Sequence, residues 1–214
     1  MGSILDSQTV ITAEQVLRVP TKTPENILAL AGSLSPWWGK NSQVRHIKEI
    51  MYHEYEVVLL TVKNDWKFNK FVAPIKLPKK FYRTHTPVYG KHAIVFGIVL
   101  DYNLYWGDAV PKGKTYFASL NRAVHEVWEE CEATFPKLKT KFNVSTHYCL
   151  YPNDTFGHGC LGSPSVGVNR KGNINLVGVI IGTTSTGYDL VIKISYLDKW
   201  IKTRSLLGSQ MILQ

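Results

Sequence analysis

Short runs of β-branched and aromatic residues, cut apart by turn-forming segments, constrain this chain most. Val57 to Val62, Ala93 to Val99 and Ile174 to Ile181 are such runs, and stretches such as Val168 to Asn175 separate them. Apolar runs this short, bounded by Gly, Pro, Asn and Asp, suit strands rather than helices, and their spacing predicts an all-β architecture. Helical periodicity is clear in two places only. One lies near Cys131, and the other is at the end, where Ile194, Leu197, Trp200 and Ile201 recur at intervals of three and four. With 214 residues, 44% of them hydrophobic, the chain can bury a substantial core as one domain. No run approaches the roughly 18 apolar residues needed to span a bilayer, and the first twenty residues lack a basic start followed by an apolar core.

One loop carries a more specific signal. Gly159-Cys160-Leu161-Gly162-Ser163-Pro164 precedes Ser165-Val166, a basic turn from Asn169 to Asn173, and the run LVGVIIG. Its frame of Gly, two variable residues, Gly, a small residue and Pro resembles the nucleophile loop GDSGGP of the chymotrypsin/trypsin family of serine proteases. Further landmarks follow in that family's order. Residues 2 to 16, GSILDSQTVITAEQV, are similar to its segment running from GSLI to VVTAAHC, and His53 to Leu60 resemble HPxY…DIALL with a shortened loop. Phe68-Asn69 through Pro78 resemble FNxxVxPICLP, with Lys76 in place of the half-cystine. Ala93 to Gly97 stand where a strand ends in GWG, Leu120-Asn121 through Cys131 where a short helix carries a half-cystine, and Val191 to Ile201 where YxRVSxxxxWI closes the domain.

The resemblance implies a double six-stranded β-barrel with a C-terminal helix. Residues 1–92 would form the first barrel, 93–190 the second, and 191–205 the last strand and helix of a single domain spanning 1–205, followed by a tail at 206–214. Residue 1 already falls inside the family's first barrel. About two leading strands and the activation cleavage site are therefore expected to be missing, through loss of a 5′ gene segment or because they and a signal peptide lie upstream. By family, an extracellular or secreted protein is expected.

The same resemblance implies a catalytically inactive homologue. Acyl transfer in this family needs a nucleophile, a base and an orienting carboxylate. The three positions fall on Leu161, Gln15 and Glu56. Leucine has no nucleophilic atom, and a neutral amide cannot shuttle a proton. Cys160 replaces the Asp that orders the oxyanion hole, so the remnant formed by the Gly159 and Leu161 amides loses its preorganisation. Thr155 and Asp189 fall at two specificity-pocket positions, and no substrate preference carries over.

Of three cysteines, Cys131 and Cys149 match a family disulfide and Cys160 is left over. Cys160 is a buried thiol acting as a small hydrophobe, a free reactive thiol or an intermolecular link; the first reading is the preferred one. Paired with His158 it would supply a thiol and an imidazole for residual endopeptidase-like activity, but side chains two residues apart in a loop diverge. The sequons at Asn143 and Asn153 arise often by chance and carry little weight. No His spacing with Cys or acidic residues suggests a metal site, and no cofactor is implied.

The net charge of +9, with a pI near 9.4, favours acidic proteins or polyanions as partners. From Lys63 to Lys91 there are eight basic residues against one acid, Asp65, interleaved with Phe68, Phe71, Phe81 and Tyr82. A solvated lysine-rich face is the plain reading and a polyanion-binding face the alternative; no nucleic-acid module is recognisable. The Trp37-Trp38-Gly39 stretch packs over the barrel rim or anchors a partner. The expectation is a pseudoenzyme that works by binding a protein, such as a protease, an inhibitor or another cascade component.

Overall fold

The computed structural model describes residues 1–17, 23–33, 39–78, 92–100, 115–123, 135, 145–150, 161–168, 172–184 and 188–205. Among these, eleven strands form two antiparallel sheets. The first contains β1 (Gly2–Ile4), β2 (Thr9–Ala13), β3 (Leu28–Ala31), β4 (Gln43–His53) and β5 (Val57–Val62), in the order β1-β2-β5-β4-β3. The second contains β6 (His92–Leu100), β7 (Thr115–Ala123), β8 (His147–Leu150), β9 (Pro164–Val168), β10 (Ile174–Thr183) and β11 (Asp189–Lys193), in the order β7-β6-β9-β10-β11-β8. Helix α1 (Ile194–Arg204) follows β11 directly.

Strand β5 shows why its sequence is apolar at every position but Thr61. Val57 and Leu59 point into a core shared with the second sheet and the helix, where they meet Val179, Ile181, Leu190 and Ile192. Val58, Leu60 and Val62 point the other way, into a second core with Val10, Ile47, Trp66 and Val72. A strand buried on both faces has no polar alternation to show. Its partner β2 divides in the same way, with Ile11 and Ala13 in the shared core and Val10 in the other.

Helix α1 closes the shared core with Ile194, Leu197 and Ile201, each 1% exposed or less. It lacks a side-chain N-cap, so packing rather than capping holds it. Lys202 and Arg204 in its last turn suit the negative end of the helix dipole, and Lys202 pairs with Asp198 at 3.2 Å.

One element differs from the sequence reading. Leu120 and Asn121, read as the start of a short helix, belong to β7, whose nine residues pair one-for-one with β6 from His92↔Ala123 to Leu100↔Thr115. A continuous ladder of backbone hydrogen bonds outweighs the small helix preference of that stretch. Residues 124–134, including His125 and Cys131, lie outside the described residues.

Candidate functional site

The positions predicted to carry the lost base and carboxylate are in contact. Gln15 sits in a 3-10 turn, Glu14–Leu17, that begins where β2 ends, and its Nε2 donates to Glu56 Oε2 at 2.8 Å. Just beside this bond the Glu14 amide donates to the Glu56 carbonyl at 2.7 Å. Glu56 is the last residue of the tight connection from β4 to β5, between the paired residues His53 and Val57. Its φ of 58° is left-handed. A three-residue hairpin loop requires that conformation at its last position, normally from glycine, so the shortened loop imposes it on a glutamate.

Chemically this pair is inert as a proton relay. The Gln15 amide, which donates to the carboxylate, cannot take up and hand on a proton as an imidazole does. It is a structural clasp between the end of β2 and the start of β5.

The loop bearing Leu161 lies against the same turn. The Gly162 amide donates to the Ile180 carbonyl at 2.8 Å, and the Ile180 amide donates to the Ser163 carbonyl at 3.0 Å, which ties the loop to β10. Gly162 has φ +76°, and a Cβ there would overlap the Met1 carbonyl oxygen and Thr12 Oγ1 and touch Val16. Thr12 and Val16 flank Gln15 in sequence, so only glycine lets the loop approach this closely. Thr12 Oγ1 in turn donates to the Met1 carbonyl. Leu161 is half-buried, while Ser163, two residues on, is 0% exposed. Ser163 Oγ lacks a hydrogen-bond partner among the described residues. Its burial bars that hydroxyl from standing in as a nucleophile, because no substrate carbonyl can reach it.

The remaining predicted positions divide. Asp189 is wholly buried at the start of β11, opposite Thr183 on one side and Leu150 on the other. Gly159, Cys160, Thr155 and His158 lie outside the described residues, as do Trp37 and Trp38. Cys149 on β8 is buried and disulfide-bonded. Among the described residues there is no group of three or more His, Cys, Asp or Glu side chains able to hold a metal ion, and no described helix is long and apolar enough to cross a membrane.

Sequence reasoning missed an aromatic cluster beside Glu56. His53 stacks on Tyr55 with ring centroids 5.6 Å apart and meets Trp200 edge-on at 4.8 Å, while Tyr55 meets Tyr196 at 5.3 Å and His147 at 5.4 Å. Burial pushes the His53 pKa below its ordinary value, with Glu54 opposing. The hydrogen bond with Tyr196, aided by desolvation, pushes Tyr55 up to about 12. No local motif announces this cluster, because its members come from the end of β4, the β4–β5 connection, β8 and the helix. A second buried hydroxyl, Tyr148, donates to Ser165 Oγ at 2.8 Å, and burial raises its pKa well above the ordinary range, the Ser165 bond opposing in part.

Comparison with known proteins agrees with this fold. No curated protein matches the chain. Among solved structures, the crystal structure of the scabies mite inactivated protease paralogue S-D1 superposes with a TM-score of 0.71 at 21% sequence identity, covering 94% of this chain and 84% of that one. That likeness shows a trypsin-like fold. The family model described as Trypsin matches residues 1–201, and the chain therefore belongs to the trypsin family.

Proposed function

We propose that this chain is a non-catalytic member of its family that acts by binding a protein, as a decoy, cofactor or competitor in a proteolytic cascade. The Gln15–Glu56 clasp carries the reading. If these two residues and Leu161 occupy the triad positions, as the sequence resemblance implies, the base is a side chain that cannot accept a proton. Its amide is committed to the carboxylate, and a leucine stands at the nucleophile position. The buried Ser163 offers no substitute. The scabies mite paralogue, called inactivated by name, is a protein of the same fold.

An extracellular location and pairing of Cys149 with Cys131 belong to the same proposal. A disulfide-bonded Cys149 supports both, since such bonds persist in oxidising compartments. In a test, the chain is added in excess to an active trypsin-like protease, a protein inhibitor of it and a protein substrate. It is expected to shift the rate of substrate cleavage without cleaving the substrate alone. Cleavage by the chain alone would contradict the non-catalytic half of the proposal. An unchanged rate, with no calorimetric binding to any of the three proteins, would contradict the binding half.

A further inference from the structure

Between two buried anchors on the first sheet's side of the molecule, five consecutive residues are all exposed. Trp66, 4% exposed, and Val72, 2% exposed, sit in the core, and Lys67-Phe68-Asn69-Lys70-Phe71 arches between them. Phe68 is 47% exposed and Phe71 48%. Solvent-facing phenylalanines this close in sequence are costly to hydrate, and each would be more stable in an apolar medium.

The arch is held rigidly from within. Asn69 Oδ1 accepts from the Phe71 and Val72 amides at 2.8 and 3.0 Å, and the Asn69 amide donates to the Val72 carbonyl at 2.9 Å. At its base the Lys67 amide donates to Gln43 Oε1 at 2.9 Å, and Gln43 Nε2 donates back to the Lys67 carbonyl at 2.6 Å. Arg45 adds a bond to the Asp65 carbonyl at 2.9 Å and stacks over Trp66 at 5.2 Å. Little conformational entropy therefore remains to be lost when the arch docks.

Exposed lysines precede, separate and follow the two rings in sequence. Lys63, Lys67, Lys70 and Lys76 are all exposed, and Lys70 Nζ lies 5.0 Å from the Phe71 ring centroid. The single acid in the stretch, Asp65, is engaged by Gln8 Nε2 at 2.6 Å. Exposed aromatic rings on a lysine-rich arch, one of them with an ammonium group beside it, match a surface that is apolar just beneath an anionic layer.

We propose that the arch from Lys67 to Phe71 docks on an anionic phospholipid surface, with Phe68 and Phe71 entering the boundary between headgroups and acyl chains and the lysines meeting lipid phosphates. A sulfated polysaccharide would use the lysines but has no apolar layer for the rings, so the two exposed phenylalanines favour lipid. This inference is independent of the fate of catalysis.

The test is co-sedimentation with vesicles of about 30% phosphatidylserine in phosphatidylcholine, with pure phosphatidylcholine vesicles and a heparin column in parallel. The protein is expected to bind the anionic vesicles and not the neutral ones. Phe68→Ala with Phe71→Ala should lower vesicle partitioning by about tenfold or more while leaving heparin elution unchanged. Lys67→Gln and Lys70→Gln should each lower it about fivefold. All four side chains are exposed, so unchanged thermal melts will certify the fold of each variant. Heparin retention without vesicle binding would overturn the proposal in favour of a polysaccharide ligand. Equal binding to neutral vesicles, or full vesicle binding by the double Phe variant, would overturn it as well.

Discussion

Ser163 shows what an unpartnered hydroxyl does inside a packed loop. Its hydroxyl is fully buried beside the loop that ties Leu161 to β10, and it lacks a hydrogen-bond partner among the described residues. A buried, unsatisfied hydroxyl carries a desolvation penalty without return. Ser163→Ala is therefore expected to stabilise the protein by about 1 kcal/mol, read as a higher midpoint in urea; a lower midpoint would mean that the hydroxyl has a partner. Gln15 and Glu56 show the opposite case, in which two polar side chains satisfy each other across the end of β2 and the start of β5. The frames around Leu161, Gln15 and Glu56 were legible in the sequence as resembling those of the three triad positions, and the proposed function rests on that expectation. The left-handed φ of Glu56 was not, because nothing about a glutamate encodes it; the three-residue connection imposes it.

At the scale of elements, α1 and the strand it follows carry the shared core. The spacing of Ile194, Leu197 and Ile201 predicted the helix, and those three residues are the ones it buries. Leu197 is 0% exposed, so Leu197→Ala should cost about 2–5 kcal/mol, checked by denaturant unfolding. A cost below about 1 kcal/mol would place the helix outside the cooperative core. Residues Leu120 to Ala123 misled for a related reason. The resemblance placed the start of a short helix there, whereas the state of these residues is set by a partner, β6, more than twenty positions away in sequence. The runs in β5 and β10 were legible as strands, but which of two cores each residue serves depends on how the sheets pack and is absent from any local pattern.

Across the whole molecule, the aromatic cluster links the first sheet to the C-terminal helix, and its histidine makes that link sensitive to pH. His53 has its pKa lowered mainly by burial. Between its folded value and the unfolded value of about 6.5, the unfolded chain binds more protons, so stability rises with pH through that window. The contribution is fully present above about 6.5 and is lost as pH falls. Melting temperature should accordingly drop between about pH 7 and pH 5, and His53→Phe should flatten that slope. An equal slope in the variant would assign the titration elsewhere. Tyr55 of the cluster directly precedes Glu56, so the Gln15–Glu56 contact and the sheet-to-helix contact form one neighbourhood, whose aromatic half no sequence motif reveals.

The chain belongs to the trypsin family, and whether its scaffold persists without the family's chemistry, as proposed, is tested most directly by labelling with a fluorophosphonate probe. Under conditions in which an active trypsin-like protease is labelled to completion, this chain is expected to remain unlabelled, in agreement with the leucine at position 161 and the burial of Ser163. Covalent labelling of the folded protein, abolished by heat denaturation, would contradict the account.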